Sequence, residues 1–156
     1  MSKNKSKVLA IDPGTREMGI AFFDKGKIVY YGVKTIKKGK LPSESIKEGR
    51  KIILRLIKDF KPDNLIVEKA FFANNRSTSL LNVFVDEIKS IGRRKGLEVK
   101  GFAQSTVKKA ICGNGWESKK EVARVIVFRF PKLRVYITQD RAWKEESIRI
   151  CLMRWR

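Results

Sequence analysis

The order in which strand-like and helix-like stretches succeed one another constrains this chain most. Val8–Asp12 (VLAID) is a short apolar, β-branched run that stops at Pro13-Gly14, a turn pair. Met18–Asp24 and Lys27–Val33 are two further runs of strand character, separated only by Lys25-Gly26, a hairpin signal. Three strands on short turns predict an antiparallel meander. A Lys- and Gly-rich connection over 35–43 leads into a stretch with helical spacing, in which Ser43 is the expected cap. Ile46, Ile53, Ile57 and Phe60 form the stripe, widened by Ile52 and Leu56, and Pro62 ends it. Asn64–Val67 then reads as a buried strand reached through a helical crossover, the connection that parallel pairing requires.

The alternation continues. A helix is expected from Ser77 or Thr78 to about Lys95, with Leu80, Phe84, Ile88 and Ile91 on one stripe and Leu81, Val83 and Val85 partly off it. An apolar face that wide suggests two contacts, one with the chain's own sheet and one with something else. Leu97–Phe102 is a fifth strand. Helices follow over 104–111 and, after the Gly113-Asn114-Gly115 break, over Glu117–Phe130, which Pro131 ends. A last helix is expected from about Asp140. The sum is an α/β fold, a mixed five-stranded sheet flanked by helices, forming one domain over residues 1–156.

Composition limits the chemistry. The 156 residues carry 36 Lys and Arg against 16 Asp and Glu, a formal net charge of +20, and no histidine. Histidine-based triads, dyads and general bases are excluded. Cys112 and Cys151 are too far apart for a CxxC zinc motif. Each lies in an apolar stretch and is expected to be a buried free thiol in a reducing compartment such as the cytoplasm. No apolar run approaches the roughly 18 residues of a membrane span, so no membrane partner is expected. So large an excess of positive charge calls for a polyanion, nucleic acid before all others. The competing explanation is a solubilising lysine coat.

Carboxylates and lysines remain as chemical currency. Asp12 ends the first strand and Glu68 follows the fourth in LIVEKAFF. Both close apolar runs, where a carboxylate is costly to bury. If the first and fourth strands pair, the two acids converge, and their repulsion calls for protons, lysines or a divalent cation. A third acid from a helix completes an oxygen site suited to magnesium, which can serve phosphodiester hydrolysis. Each piece alone has an ordinary explanation: Asp-Pro-Gly as a turn, Glu68 paired with Lys69, and Asp140, Glu145 and Glu146 as a solvated helix face.

Taken together, these segments resemble the RuvC-type Holliday junction resolvases of the RNase H-like nuclease superfamily. IDPGTREMGIAFFD resembles the first motif, LPSESI and its helix the next block, FKPDNLIVEKAFFANNRSTSL the segment around the second acid, and STVKKAICGNGWESKKEVARVI the lysine-rich third block. The resemblance implies an RNase H-like fold and a Mg2+- or Mn2+-dependent endonuclease that nicks four-way junctions in pairs. It also implies 5′-phosphate and 3′-hydroxyl ends, and a homodimer for which the 78–95 helix is the candidate interface. It assigns Asp12, Glu68 and Glu146 to the metal, with Asp140 as a further candidate. Lys108 and Lys119 fall where the family places basic residues near the scissile phosphate. Phe71 matches an aromatic inserted at the junction centre. Arg76, Lys109 and Lys120 complete the expected DNA contacts.

The fourth block departs from the pattern. Where the family has two acids three residues apart, this chain has Trp143 and Glu146, and Trp143 cannot bind metal. Glu145 or Asp140 could compensate, although neither shares a helical face with Glu146. Two rivals therefore stand beside the resolvase: a broader branched-DNA or flap nuclease of the same fold, and a basic DNA-structure binder weakened in turnover.

Overall fold

Five strands form: β1 (Val8–Asp12), β2 (Glu17–Asp24), β3 (Lys27–Thr35), β4 (Asn64–Glu68) and β5 (Glu98–Phe102). They lie in the order β3-β2-β1-β4-β5 in this computed structural model, which describes residues 7–37, 39, 41–69 and 76–134. β1 is central, antiparallel to β2 and parallel to β4. β4 and β5 are also parallel. This is the expected mixed sheet. The β2–β3 hairpin turns through Lys25 (φ 47°) and Gly26 (φ 89°), the two successive left-handed residues that match the twist of a tight hairpin.

Among the described residues four helices cover the sheet: α1 (Pro42–Phe60), α2 (Arg76–Arg94), α3 (Gln104–Cys112) and α4 (Lys119–Arg129). A short 3-10 turn follows at Pro131–Leu133. Two helix starts differ from the sequence expectation. Ser43 is not the cap of α1. Leu41 is, with Pro42 at the first helical position, where its fixed φ suits the helix. The Glu44 carboxylate accepts the Leu41 N–H at 3.3 Å. α4 begins at Lys119, not Glu117, because the Ser118 hydroxyl takes the capping role and accepts the Glu121 N–H at 3.1 Å. The expected helix from Asp140 lies outside the described residues.

Alternation along β1 and β4 sends successive side chains to opposite faces. Leu9, Ile11, Leu65 and Val67 pack against Ile53, Leu56 and Ile57 of α1 and Phe84, Val85, Ile88 and Ile91 of α2. Val8, Ala10 and Ile66 face the other way, onto Val107 and Ile111 of α3 and Val122 and Ile126 of α4. Phe60 stacks on Phe22 with ring centroids 4.5 Å apart. Gly92 lets α2 approach Leu65 and Val99, where a Cβ would meet side-chain carbons at 2.6 and 2.8 Å. Gly49 of α1 lies against the ring of Phe84, itself buried. The Gly49→Val variant should therefore force α1 off α2 and lose about 2 kcal/mol or more, read as a lower urea midpoint with an unchanged slope.

Candidate active site

The pairing of β1 with β4 puts Ile11 opposite Val67, so the next residues, Asp12 and Glu68, end adjacent parallel strands side by side. Neighbouring strands lie roughly 5 Å apart. By alternation both acids belong to the face covered by α3 and α4. Glu68 is 9% exposed, the buried charged residue among the described core, and Asp12 is half-buried. The point is also where the sheet's connections diverge, to β2 on one side and β5 on the other, the crevice where α/β sheets bind ligands. Across from Asp12 on β2 stands Gly19. It has no side chain on the face beside the carboxylate.

Glu68 registers with Phe102, and the Lys69 N–H donates to the Phe102 carbonyl at 2.9 Å. α3 starts immediately beyond, so its first turn stands at the carboxylate end of the sheet. After α3 ends at Gly113 (φ 79°), the chain folds back to it. A Cβ on Gly115 would lie 3.1 Å from the Ser105 carbonyl oxygen. The α3–α4 loop therefore lies at the same end as the two acids, and Lys119 opens α4 four residues later.

The structure thus brings Asp12 and Glu68 together and delivers the α3–α4 loop, after which Lys119 opens α4, to their end of the sheet. Lys108 lies in the second turn of α3 and is half-buried beside Val107, about 6 Å further along the helix axis than Gln104. Lys109 and Lys120 are exposed. Arg76 is the first residue of α2; its side chain lies outside the described residues, as do Phe71, Asp140, Trp143, Glu145, Glu146 and Cys151. Among the described residues no group of three or more Asp, Glu or Cys side chains is placed to hold a metal ion. Cys112 corrects one expectation: it is free but only partly buried, because it ends α3 instead of lying within it. Burial, and then Glu117 and Glu121, push its thiol up from the ordinary value, which keeps it protonated and chemically quiet near neutrality.

Gly19 is a site residue that sequence reasoning missed. Only the strand register shows that it faces Asp12, and the glycine inside a strand pattern was the available signal.

The sheet order defines an RNase H-like α/β fold. Residues 8–151 match the family described as crossover junction endodeoxyribonuclease RuvC, and the chain belongs to that family. The RuvC of Aliarcobacter butzleri is 33% identical over 128 residues, covering 77% of this chain and 80% of the relative. That of Prochlorococcus marinus subsp. pastoris is 29% identical, with 87% and 89% covered. Among solved structures, Thermus thermophilus RuvC in complex with a Holliday junction substrate superposes with a TM-score of 0.75 at 20% identity, covering 94% of this chain and 91% of that one. The yeast mitochondrial Holliday junction resolvase Ydc2 gives 0.66 at 14% identity, covering 95% and 75%. These two likenesses bear out the fold.

The donor chemistry fits a hard divalent cation: two carboxylates, one buried, at adjacent strand ends. Saturating Mg2+ or Ca2+ should raise the melting temperature of the protein, by about 2.7 kcal/mol of stability at a hundredfold excess over Kd. In Asp12→Asn and Glu68→Gln the cation-dependent rise should vanish. An equal cation-dependent rise in the variants would place the cation elsewhere.

Proposed function

We propose that this protein is a divalent-metal-dependent endodeoxyribonuclease that resolves four-way DNA junctions by paired nicking. One observation carries the reading: Asp12 and Glu68 stand side by side at the ends of paired parallel strands, on the face covered by α3, which carries Lys108, and α4, which Lys119 opens, in a chain matching the family over residues 8–151.

Asp12 and Glu68 hold the cation, Mg2+ or Mn2+, with Glu146 as the third acid and Asp140 as a further candidate. When bound, such a cation supplies Lewis acidity, both to generate the nucleophile from water and to neutralise the phosphate. Lys119 and Lys108 stabilise the extra negative charge that develops on the phosphate during attack. The cut leaves a 5′-phosphate and a 3′-hydroxyl. Lys109, Lys120 and Arg76 follow the backbone of the arms, and Phe71 occupies the branch point. The whole of 1–156 serves as one nuclease domain. Among the described residues no helix is long and apolar enough to cross a membrane, in keeping with action on DNA in the cytoplasm.

Two coordinated nicks need two sites, and a second copy of the chain supplies the other. On α2, Phe84, Val85, Ile88 and Ile91 are buried in the monomer, whereas Val83 is 56% exposed and Leu80 and Leu81 are half-buried. This outward apolar edge is the part of the 78–95 helix open to a second copy.

Trp143 in place of an acid favours one second reading, a junction binder of weakened turnover. A labelled four-way junction separates the two. With Mg2+ the wild type should give symmetric paired nicks, and Asp12→Asn should cut at least about a hundredfold more slowly while still binding. Affinity should fall steeply with salt, since each phosphate contact releases counterions. Binding without cleavage in any divalent metal would select the weakened binder, and equal cutting of forks, flaps and duplex would select a broader nuclease. Val83→Asp should shift the protein from dimer to monomer in sedimentation and convert paired nicks into single ones. An unchanged dimer would exclude this helix edge.

A further inference from the structure

Trp116 is 94% exposed. An indole is among the largest apolar surfaces a side chain offers, and leaving one in water forgoes the gain of burying it. The loop that carries it is ordered for display. Gly113 turns the chain out of α3 at φ 79°. The Trp116 N–H donates to Asn114 Oδ1 at 3.1 Å, and Asn114 Nδ2 approaches Glu117 Oε1 at 3.5 Å. Gly115 seats the loop against the Ser105 carbonyl, in the first turn after the strand that registers with Glu68. The loop backbone is thus held at the carboxylate end of the sheet, three residues before Lys119 and Lys120 begin α4. Among the described residues, the other strongly exposed aromatic, Phe128 (88%), is at the far end of α4 and lacks this setting.

We infer that Trp116 is a base-stacking platform, which receives an unpaired nucleobase of the branched substrate beside the scissile strand. The surrounding charge commits the occupant to a polyanion. Lys120 and Lys109 are exposed, and the neighbouring acid, Glu117, is turned to Asn114. Phosphates draw the strand to the lysines, and the ring offers a π-face that any base can cover. The inference rests on the reading of branched DNA as substrate.

The test compares wild type, Trp116→Phe and Trp116→Ala on three DNAs of equal length, a four-way junction, a duplex and a single strand, in Ca2+. Trp116→Ala should weaken junction and single-strand binding about tenfold, leave duplex binding unchanged and melt like the wild type. Trp116→Phe should lie within about twofold of wild type, since a ring remains. Equal junction and single-strand binding by Trp116→Ala overturns the platform, as does an equal loss on duplex. Wild-type indifference to junctions would instead remove the resolvase reading, and the single strand would still decide the role of Trp116. Tryptophan fluorescence gives a second readout. The emission that Trp116→Phe lacks should be open to acrylamide in free protein and shielded by single-stranded DNA. If it is shielded before DNA is added, the ring is covered by protein and the inference fails.

Discussion

Two carboxylates held at the ends of neighbouring strands are the constraint around which the rest is arranged. Two such charges on adjacent strand ends repel unless a proton, a lysine or a cation offsets them. Glu68 is in addition largely withdrawn from water. A fold keeps such an arrangement only if it is rigid elsewhere, because local strain persists only when its surroundings over-determine it. β1 supplies that rigidity. Its residues from Val8 to Ile11 are buried, and hydrogen-bonded strands flank it on both sides.

The two faces of the sheet divide the work. Beneath one lie the 19-residue helices α1 and α2, brought close by glycines at 49 and 92. That half has few degrees of freedom left. The other face carries α3 and α4, of 9 and 11 residues, joined by a loop built on two glycines. Acids, lysines and the displayed indole belong to this lighter half. A polyanion can be accommodated there without disturbing the packing that holds the acids in place.

Much of this was legible in the residues. Apolar runs punctuated by Pro-Gly, Lys-Gly and Pro62 marked the strands. The helical crossover before Asn64 implied the parallel partner of β1, and with it the convergence of Asp12 and Glu68. What escaped depended on competition between neighbours. Ser43 is a good capping residue, yet Pro42 one position earlier claims the first helical turn. Glu117 suits a first turn, yet the Ser118 hydroxyl reaches the Glu121 amide. Gly19 is a strand glycine like any other until the register sets it across from Asp12. The loop around Trp116 was visible as a Gly-Asn-Gly break, but a break says nothing of where its last residue points. The third acid rests on the resemblance alone, because 135–156 lies outside the described residues.

The strand pairing that makes the site also dates it. β1, β2 and β3 are neighbours in sequence and can zip as soon as they exist. β1 and β4 are not: Val8 pairs with Asn64 across more than fifty residues. During synthesis at roughly 5–20 residues per second, Glu68 emerges roughly 3–11 s after Asp12. Through that interval the nascent chain holds a basic meander with half an acid pair. It carries its lysines well before the second carboxylate of the proposed site has been made.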